Sequence, residues 1–319
     1  MNILPYISEI IGAVFFTIIP VFIKKYDINI LIKLLICTFA TLIPSLMVIY
    51  YYNYKKYNDY DITQYFSNKM GVLIGIVSTI YYISFYYGFN LVPVSIGIPI
   101  FMITPFVMTL MDRYFNNIGI NFGQIIGFLI SFIGIIMVVF SKTSINTNNL
   151  ILGSIAIIIS VITYSYIYVK LNLAIPKNID KESFLNQNIQ LMILVLIPFI
   201  IFSILTIGSL LFTSSLPYKF ELPTLKTILY LISVFIILSY IANLLYFYSY
   251  NNMPLSSYGV LENTEVIAAM VIGYLFLDEH MSLKKIFGSI IIVLGIVIEI
   301  FFKENKQANK MISHILPII

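Results

Sequence analysis

Apolar residues in this sequence fall into ten blocks of roughly 18–25 residues, divided by short polar breaks. A helix rises 1.5 Å per residue, so a block of that length crosses the ~30 Å hydrocarbon core of a bilayer once. Charge says the same. Only 10% of residues are charged and 60% are hydrophobic, with a mean hydropathy of +0.97, whereas a soluble domain carries about 25% charged residues to meet water. The chain therefore reads as an all-α membrane protein surrounded by the lipid bilayer.

The ten expected spans cover 6–23, 29–52, 70–90, 93–111, 120–140, 150–170, 184–212, 225–250, 254–277 and 282–302. Turn chemistry marks the breaks, from Lys24 to Asp27, at Asn116 and Asn117, from Asn146 to Asn149, at Asn251 and Asn252, and from Asp278 to His280. Two junctions are tight, at Pro93 and Pro254, each a proline suited to the first turn of a new helix, where its missing N–H costs nothing. The loops near 53–69 and 171–183 are too short for a soluble domain. The first span lacks a basic leader and a small-residue cleavage site, so it is expected to be a retained helix. Tyr50, Tyr51, Tyr52 and Tyr54 stand where a helix should leave the membrane, supplying the interfacial aromatics that the absent tryptophans cannot.

A repeat organises these spans. Sliding the third to fifth spans by 161 positions lays them on the eighth to tenth without a gap. Ser78 meets Ser239, Asn90 meets Asn251, Pro93 meets Pro254, Ser95 meets Ser256, Gly127 meets Gly288 and Gly134 meets Gly295. Matched isoleucines mean little in such a chain, but matched Asn, Pro and Gly at one fixed offset are informative. Five helices are thus followed by five. An odd number makes the second set enter from the opposite side, the inverted repeat of many secondary transporters, whose substrate site lies between the halves. The expected division is 1–145, 146–303 and a short polar tail over 304–319. Of the 18 Lys and Arg residues, ten fall on the side of the N-terminus and eight opposite, only a slight bias by charge toward an inside N-terminus.

The ninth and tenth spans are the most specific. Glu265, Val266, Ile267, Ala268 and Ala269 lead into Gly273 to Glu279, followed by Lys285, Gly288 and Gly295. This pattern resembles the second-half signature of EamA-type transporters of the drug/metabolite transporter superfamily, with Val266 in place of the usual proline and Asp278 in place of the usual glycine. In the first half Pro105 keeps the proline, while Thr104 stands at the glutamate position and Ile118 at the loop acid. The resemblance implies ten helices, cytoplasmic termini, and export or exchange of small organic metabolites by alternating access.

Glu265 is the most informative side chain, because an acid at mid-span costs about 2.5–3.5 kcal/mol to insert. Glu262 lies one turn earlier on the same helix face, and like-charge repulsion and desolvation disfavour ionising both. Such a pair suits proton coupling or a cationic substrate; a structural acid bonded to a neighbouring helix is the alternative. Asn243, Tyr82, Tyr81, Thr104, Thr17, Tyr164, Tyr246 and Ser160 are further polar groups at mid-depth, able to line a cavity among the first, third, fourth, sixth, eighth and ninth helices that the resemblance implies. Pro99 and Pro105 interrupt the fourth span as kink points. Gly127, Gly134, Gly288 and Gly295, spaced by seven, read as close helix packing.

Other functions find little support. There is no phosphate-binding glycine loop and no Ser-His-Asp set, so neither ATP-driven pumping nor enzymatic hydrolysis is expected. Cys37 is the one cysteine, and His280 and His314 lie far apart, so neither a metal nor a cofactor is expected. The net charge of +4 is spread over loop lysines, which gives no nucleic-acid footprint. Mid-span lysines and arginines are missing, which favours neutral, zwitterionic or cationic small-molecule substrates over a nucleotide-sugar antiporter. A non-transporting membrane scaffold or receptor is the other alternative, and the pattern is also compatible with a homodimer.

Overall fold

The computed structural model describes residues 3–26, 28–55, 68–117, 122–141, 147–171, 173–175, 184–211, 222–252 and 264–304. The described residues form helices: α1 (Leu4–Lys25), α2 (Ile30–Tyr54), α3 (Lys69–Leu91), α4 (Val94–Phe101), α5 (Thr104–Asn116), α6 (Phe122–Val139), α7 (Thr147–Leu171), α8 (Phe184–Leu211), α9 (Leu225–Phe235), a π-helical segment (Ile236–Ile241), α10 (Ala242–Asn252), α11 (Thr264–Leu277) and α12 (Leu283–Glu304). Seven of these segments, counting α4 with α5 and α9 with its continuation, are long and apolar enough to cross a membrane. The apolar stretches Ile125–Val139 and Glu265–Leu277 are shorter; the expected fifth and ninth spans extend into 120–121 and 254–263, outside the described residues.

The helices are turned out toward hydrocarbon. In α7, Ile151, Ile155, Ile158, Ile159 and Ile162 are exposed, while Gly153, Ser154, Ile157, Ser160 and Val161 are buried. Small and hydroxylated residues let helices approach closely, and the branched apolar face is left for lipid. Ser160 satisfies its own hydroxyl on the carbonyl of Ile157, 2.7 Å away.

Contacts of one half recur in the other. α3 packs on α7 as α10 packs on α1, and α5 packs on α7 as α11 packs on α1. α2 pairs with α8, and α6 with α12 in the most extensive contact of all. That last pair is antiparallel. A Cβ on Gly134 would lie 2.6 Å from the carbonyl oxygen of Gly288, and one on Gly295 would lie 2.5 Å from that of Gly127. Between them Ser131 donates to the carbonyl of Ile292, 3.2 Å away and 161 positions on. The repeat also reappears in backbone angles. Asn117 (φ 55°) and Asp278 (φ 51°), one offset apart, are the positive-φ non-glycine residues among those described. Asp and Asn tolerate this left-handed geometry better than other side chains, which explains how Asp278 replaces the glycine expected there.

Two faces follow from the helix ends. The near face carries the start of α1, where Ser249 of α10 donates to the carbonyl of Pro5 at 2.9 Å, and where Asn68 reaches the carbonyl of Ala174 at 2.9 Å. The far face carries the end of α1, where Lys33 of α2 donates to the carbonyl of Ile23 at 2.6 Å.

Candidate functional site

A cavity lies among α1, α2, α3, α7, α8 and the π-helical segment. It offers about 40 Å³ to the centres of water-sized molecules, room for a few waters at ~10–15 Å³ each. Drug-sized ligands occupy pockets of roughly 300–1,000 Å³, so the cavity as it stands is too small for one. Its wall is aromatic: Phe16, Tyr81, Tyr82, Phe85, Tyr86, Tyr164 and Tyr168 line it. The Tyr81 and Tyr164 rings lie 5.3 Å apart, Tyr164 and Tyr168 4.5 Å, and Phe16 and Phe85 5.7 Å. Among the described residues, none that lines it is acidic or basic.

Its polar side is built by the π-helical segment. Ser239 sits there, 2.9 Å from Thr41 Oγ1 and 3.7 Å from Cys37 Sγ. Asn243, one turn on, donates to the Ser239 carbonyl at 2.7 Å. Ser239 and its repeat partner Ser78 both line the cavity, as do Asn243 and its partner Tyr82. A π turn breaks the regular ladder and is found disproportionately at functional sites; nothing in the sequence signals it.

Glu265 stands beside this cavity rather than on its wall. It is 2% exposed in the first turn of α11 and accepts a hydrogen bond from the Tyr246 hydroxyl of α10. Tyr246 packs edge-on to Phe16, ring centres 6.2 Å apart, and Phe16 is a wall residue. Tyr81, also on the wall, lies within electrostatic reach of Glu265. A second acid, Glu9, is 0% exposed in α1. One turn further along α1, a Cβ on Gly12 would touch the Tyr246 ring at 3.5 Å, and one turn back Pro5 meets Ser249. Glu9 is therefore held in the seam of α1 with α10. Its place inside an apolar block was a signal the sequence offered and composition concealed.

The remaining sequence candidates divide. Tyr81, Tyr82, Tyr164 and Asn243 come together on the wall. Thr17 is buried and donates to its own helix at Ala13, 2.7 Å away, and Thr104 does the same at Phe101. Neither lines the cavity. The fourth span breaks at Met102 and Ile103, between Pro99 inside α4 and Pro105 in the first turn of α5. Glu262 lies outside the described residues.

On the far face a contact links the halves that motif reading alone did not assign. Glu279, after α11, accepts from Val94 N at 2.5 Å, from Ser95 N at 2.9 Å, and from the Ser95 hydroxyl. It caps α4. Lys285 of α12, 1% exposed, donates to Ser95 Oγ at 2.9 Å and to the His280 carbonyl at 3.0 Å. Space for the carboxylate comes from Gly273, where a Cβ would lie 2.8 Å from Glu279 Oε2. A carboxylate at a helix N-terminus contributes about 0.3–2 kcal/mol, and each hydrogen bond to an ionised group about 1.5–3 kcal/mol. A second cavity of about 280 Å³ opens beside it, lined by Lys24, Lys25, Lys33 and Asn90 among others. The lysines thus gather at a membrane face, away from the aromatic cavity.

Comparison with known proteins adds the following. A family model described as the EamA-like transporter family matches residues 4–140 and again 151–301. No curated protein matches. A solved structure described only as "Crystal structure of protein" superposes with a TM-score of 0.58 at 11% identity, over 94% of this chain and 98% of that one. At that identity the likeness concerns the fold.

Proposed function

The chain belongs to the EamA-like transporter family, and on that premise we propose that it is a secondary carrier of small organic molecules working by alternating access. Its ten spans form two inverted sets of five, divided near 145, with both termini cytoplasmic. The observation that carries this reading is an aromatic cavity, with no charged side chain among its described lining residues, at the crossing of two inverted halves, with buried Glu265 beside it. The antiparallel crossing of α6 and α12 at repeat-related glycines supports the inverted arrangement.

Such a wall suits a neutral, zwitterionic or cationic solute. Aromatic faces attract an ammonium by about 1–2 kcal/mol once it is desolvated, whereas a nucleotide-sugar would meet no cation there. Glu265 is the coupling acid. Among the described residues the titratable groups around it are Tyr246 of α10, which bonds it, Tyr81 of α3, within electrostatic reach, and Glu9, buried on α1 between its contacts with α10; α4, which also packs on α11, contributes none.

The test is exchange of labelled amines and amino acids by purified protein in liposomes. Tyr81→Leu and Tyr164→Leu should each weaken half-saturation for a cationic substrate roughly five- to thirtyfold, with less effect on a neutral one. No exchange of any such compound by folded protein would favour the scaffold reading.

A further inference from the structure

On the carrier reading above, we propose that Ser78 and Tyr86 are specificity residues of the aromatic cavity, whose hydroxyls receive an uncharged hydrogen-bonding group of the solute, a hydroxyl or a carboxamide. Both side chains line the cavity and are buried, 0% and 1% exposed. Among the described residues neither hydroxyl oxygen has a hydrogen-bond partner. A buried polar group left in this way is costly, and an occupant that bonds it removes the cost. Other hydroxyls of α3 behave differently. Thr79 donates to the carbonyl of Gly75 and Ser84 to that of Tyr81, each at 3.1 Å, the usual recourse of Ser and Thr inside a helix. Ser78, Tyr82 and Tyr86 recur at every fourth position, so they share one face of α3, and all three reach the cavity.

The repeat shows why Ser78 is left open. Its partner at the offset of 161, Ser239, also lines the cavity but is met by α2, with Thr41 Oγ1 2.9 Å away and Cys37 Sγ 3.7 Å away. As α2 packs on the π-helical segment, so α8 packs on α3. The described residues that α8 brings to the cavity are Leu191 and Leu194, and leucine offers no hydrogen bond. Tyr86 departs from its partner in the other direction. That partner is Phe247, buried in its turn. A bare ring thus packs well at this position, and the hydroxyl of Tyr86 is an addition that packing does not need. Beside it stands the thiol of Cys37, a weak hydrogen-bonding group.

The chemistry of the wall narrows the occupant. A hydroxyl both donates and accepts, and another hydroxyl or a carboxamide can answer it in both senses. An ionised carboxylate or phosphate only accepts, and with no charged side chain among the described lining residues it would be buried without a cation. The solute lays its apolar or ammonium-bearing part on the tyrosine rings and turns a neutral polar group to Ser78 and Tyr86.

Matched amines that differ in that one group test this: ethanolamine against ethylamine for the hydroxyl, and glycinamide against isobutylamine for the carboxamide. Each is offered to the full-length parent, to Ser78→Ala and to Tyr86→Phe. Exchange in liposomes gives half-saturation, and the shift in thermal unfolding, read with a dye that couples to Cys37, gives binding. The parent should favour the polar member of at least one pair by roughly five- to a hundredfold, the weight of hydroxyls that the other member leaves unpaired. Ser78→Ala and Tyr86→Phe should each cut that preference about fivefold or more, chiefly by weakening the polar member. A variant that has lost its fold shows it in its unfolding curve, and the other then decides. Equal binding within both pairs means that the hydroxyls hold only water and overturns the proposal, as does a preference that either folded variant keeps. If none of these amines exchanges or shifts the unfolding midpoint, the carrier reading fails and the proposal with it, whereas exchange without preference overturns the assignment alone.

Discussion

In Glu265→Gln, transport should lose its response to pH while substrate exchange persists. Glutamine keeps an acceptor for the Tyr246 hydroxyl and stands in for the protonated acid, so the seam of α1, α10 and α11 can still close. What it cannot do is gain or release a proton. Holding the charged form at this depth costs about 2.5–3.5 kcal/mol, more than the ~0.6–1.7 kcal/mol that one side-chain hydrogen bond between membrane helices returns. Charge on Glu265 and closure of the seam therefore oppose each other, which is the property a proton-coupled step requires. Proteoliposomes carrying an imposed pH gradient should show gradient-driven accumulation in the parent protein and none above leak in Glu265→Gln. Tyr246→Phe should keep the coupling but shift its pH profile, and Glu9→Gln should do likewise, because each changes the surroundings of the acid without removing it. Retention of the parent's pH dependence in Glu265→Gln would falsify the coupling role.

Much of the fold could be read from residues. Block length gives helices and membrane, and the 161-residue offset survives into structure because the loops linking the third to fifth and the eighth to tenth spans are equally long. The paired turns at Asn117 and Asp278 and the facing glycines of α6 and α12 are its direct consequences. The site was less legible, for three physical reasons. Tyrosines abound in this chain, so nothing local separates the wall residues Tyr81, Tyr82 and Tyr164 from tyrosines facing lipid such as Tyr87 and Tyr274. Threonines at mid-depth satisfy themselves on the preceding turn, as Thr17 and Thr104 do, so depth alone does not make them ligands. The partners of Glu279 are largely backbone amides of another helix, and an amide leaves no mark in sequence. The motif carrying Glu279 was visible as a family resemblance, but its work of capping α4 appears only when the two halves are assembled.

The same glycines allow a prediction of opposite signs for one substitution. Gly295→Ala should lower thermal stability sharply, whereas Gly208→Ala should leave it unchanged or raise it. A Cβ at Gly295 would lie 2.3 Å from Ser131 Oγ, 2.5 Å from the Gly127 carbonyl oxygen and 2.5 Å from Ser131 N. Two of those atoms are backbone of α6 and cannot rotate away, so the helices must separate along their whole contact. Overpacking of this kind costs about 1–3 kcal/mol or more, and it would also remove the Ser131 bond to Ile292 that ties the pair together. Gly208 of α8 has nothing within 4 Å of a new Cβ, so alanine there brings only its better helix propensity and a less flexible unfolded chain, roughly 0.4–1 kcal/mol in favour of folding. Cys37, the single cysteine, is 2% exposed, so a thiol-reactive fluorophore that lights up on coupling reports unfolding of either variant directly. Equal midpoints for Gly295→Ala and the parent would show that α6 and α12 do not meet at these glycines. The antiparallel crossing on which the inverted arrangement leans would then fall with them.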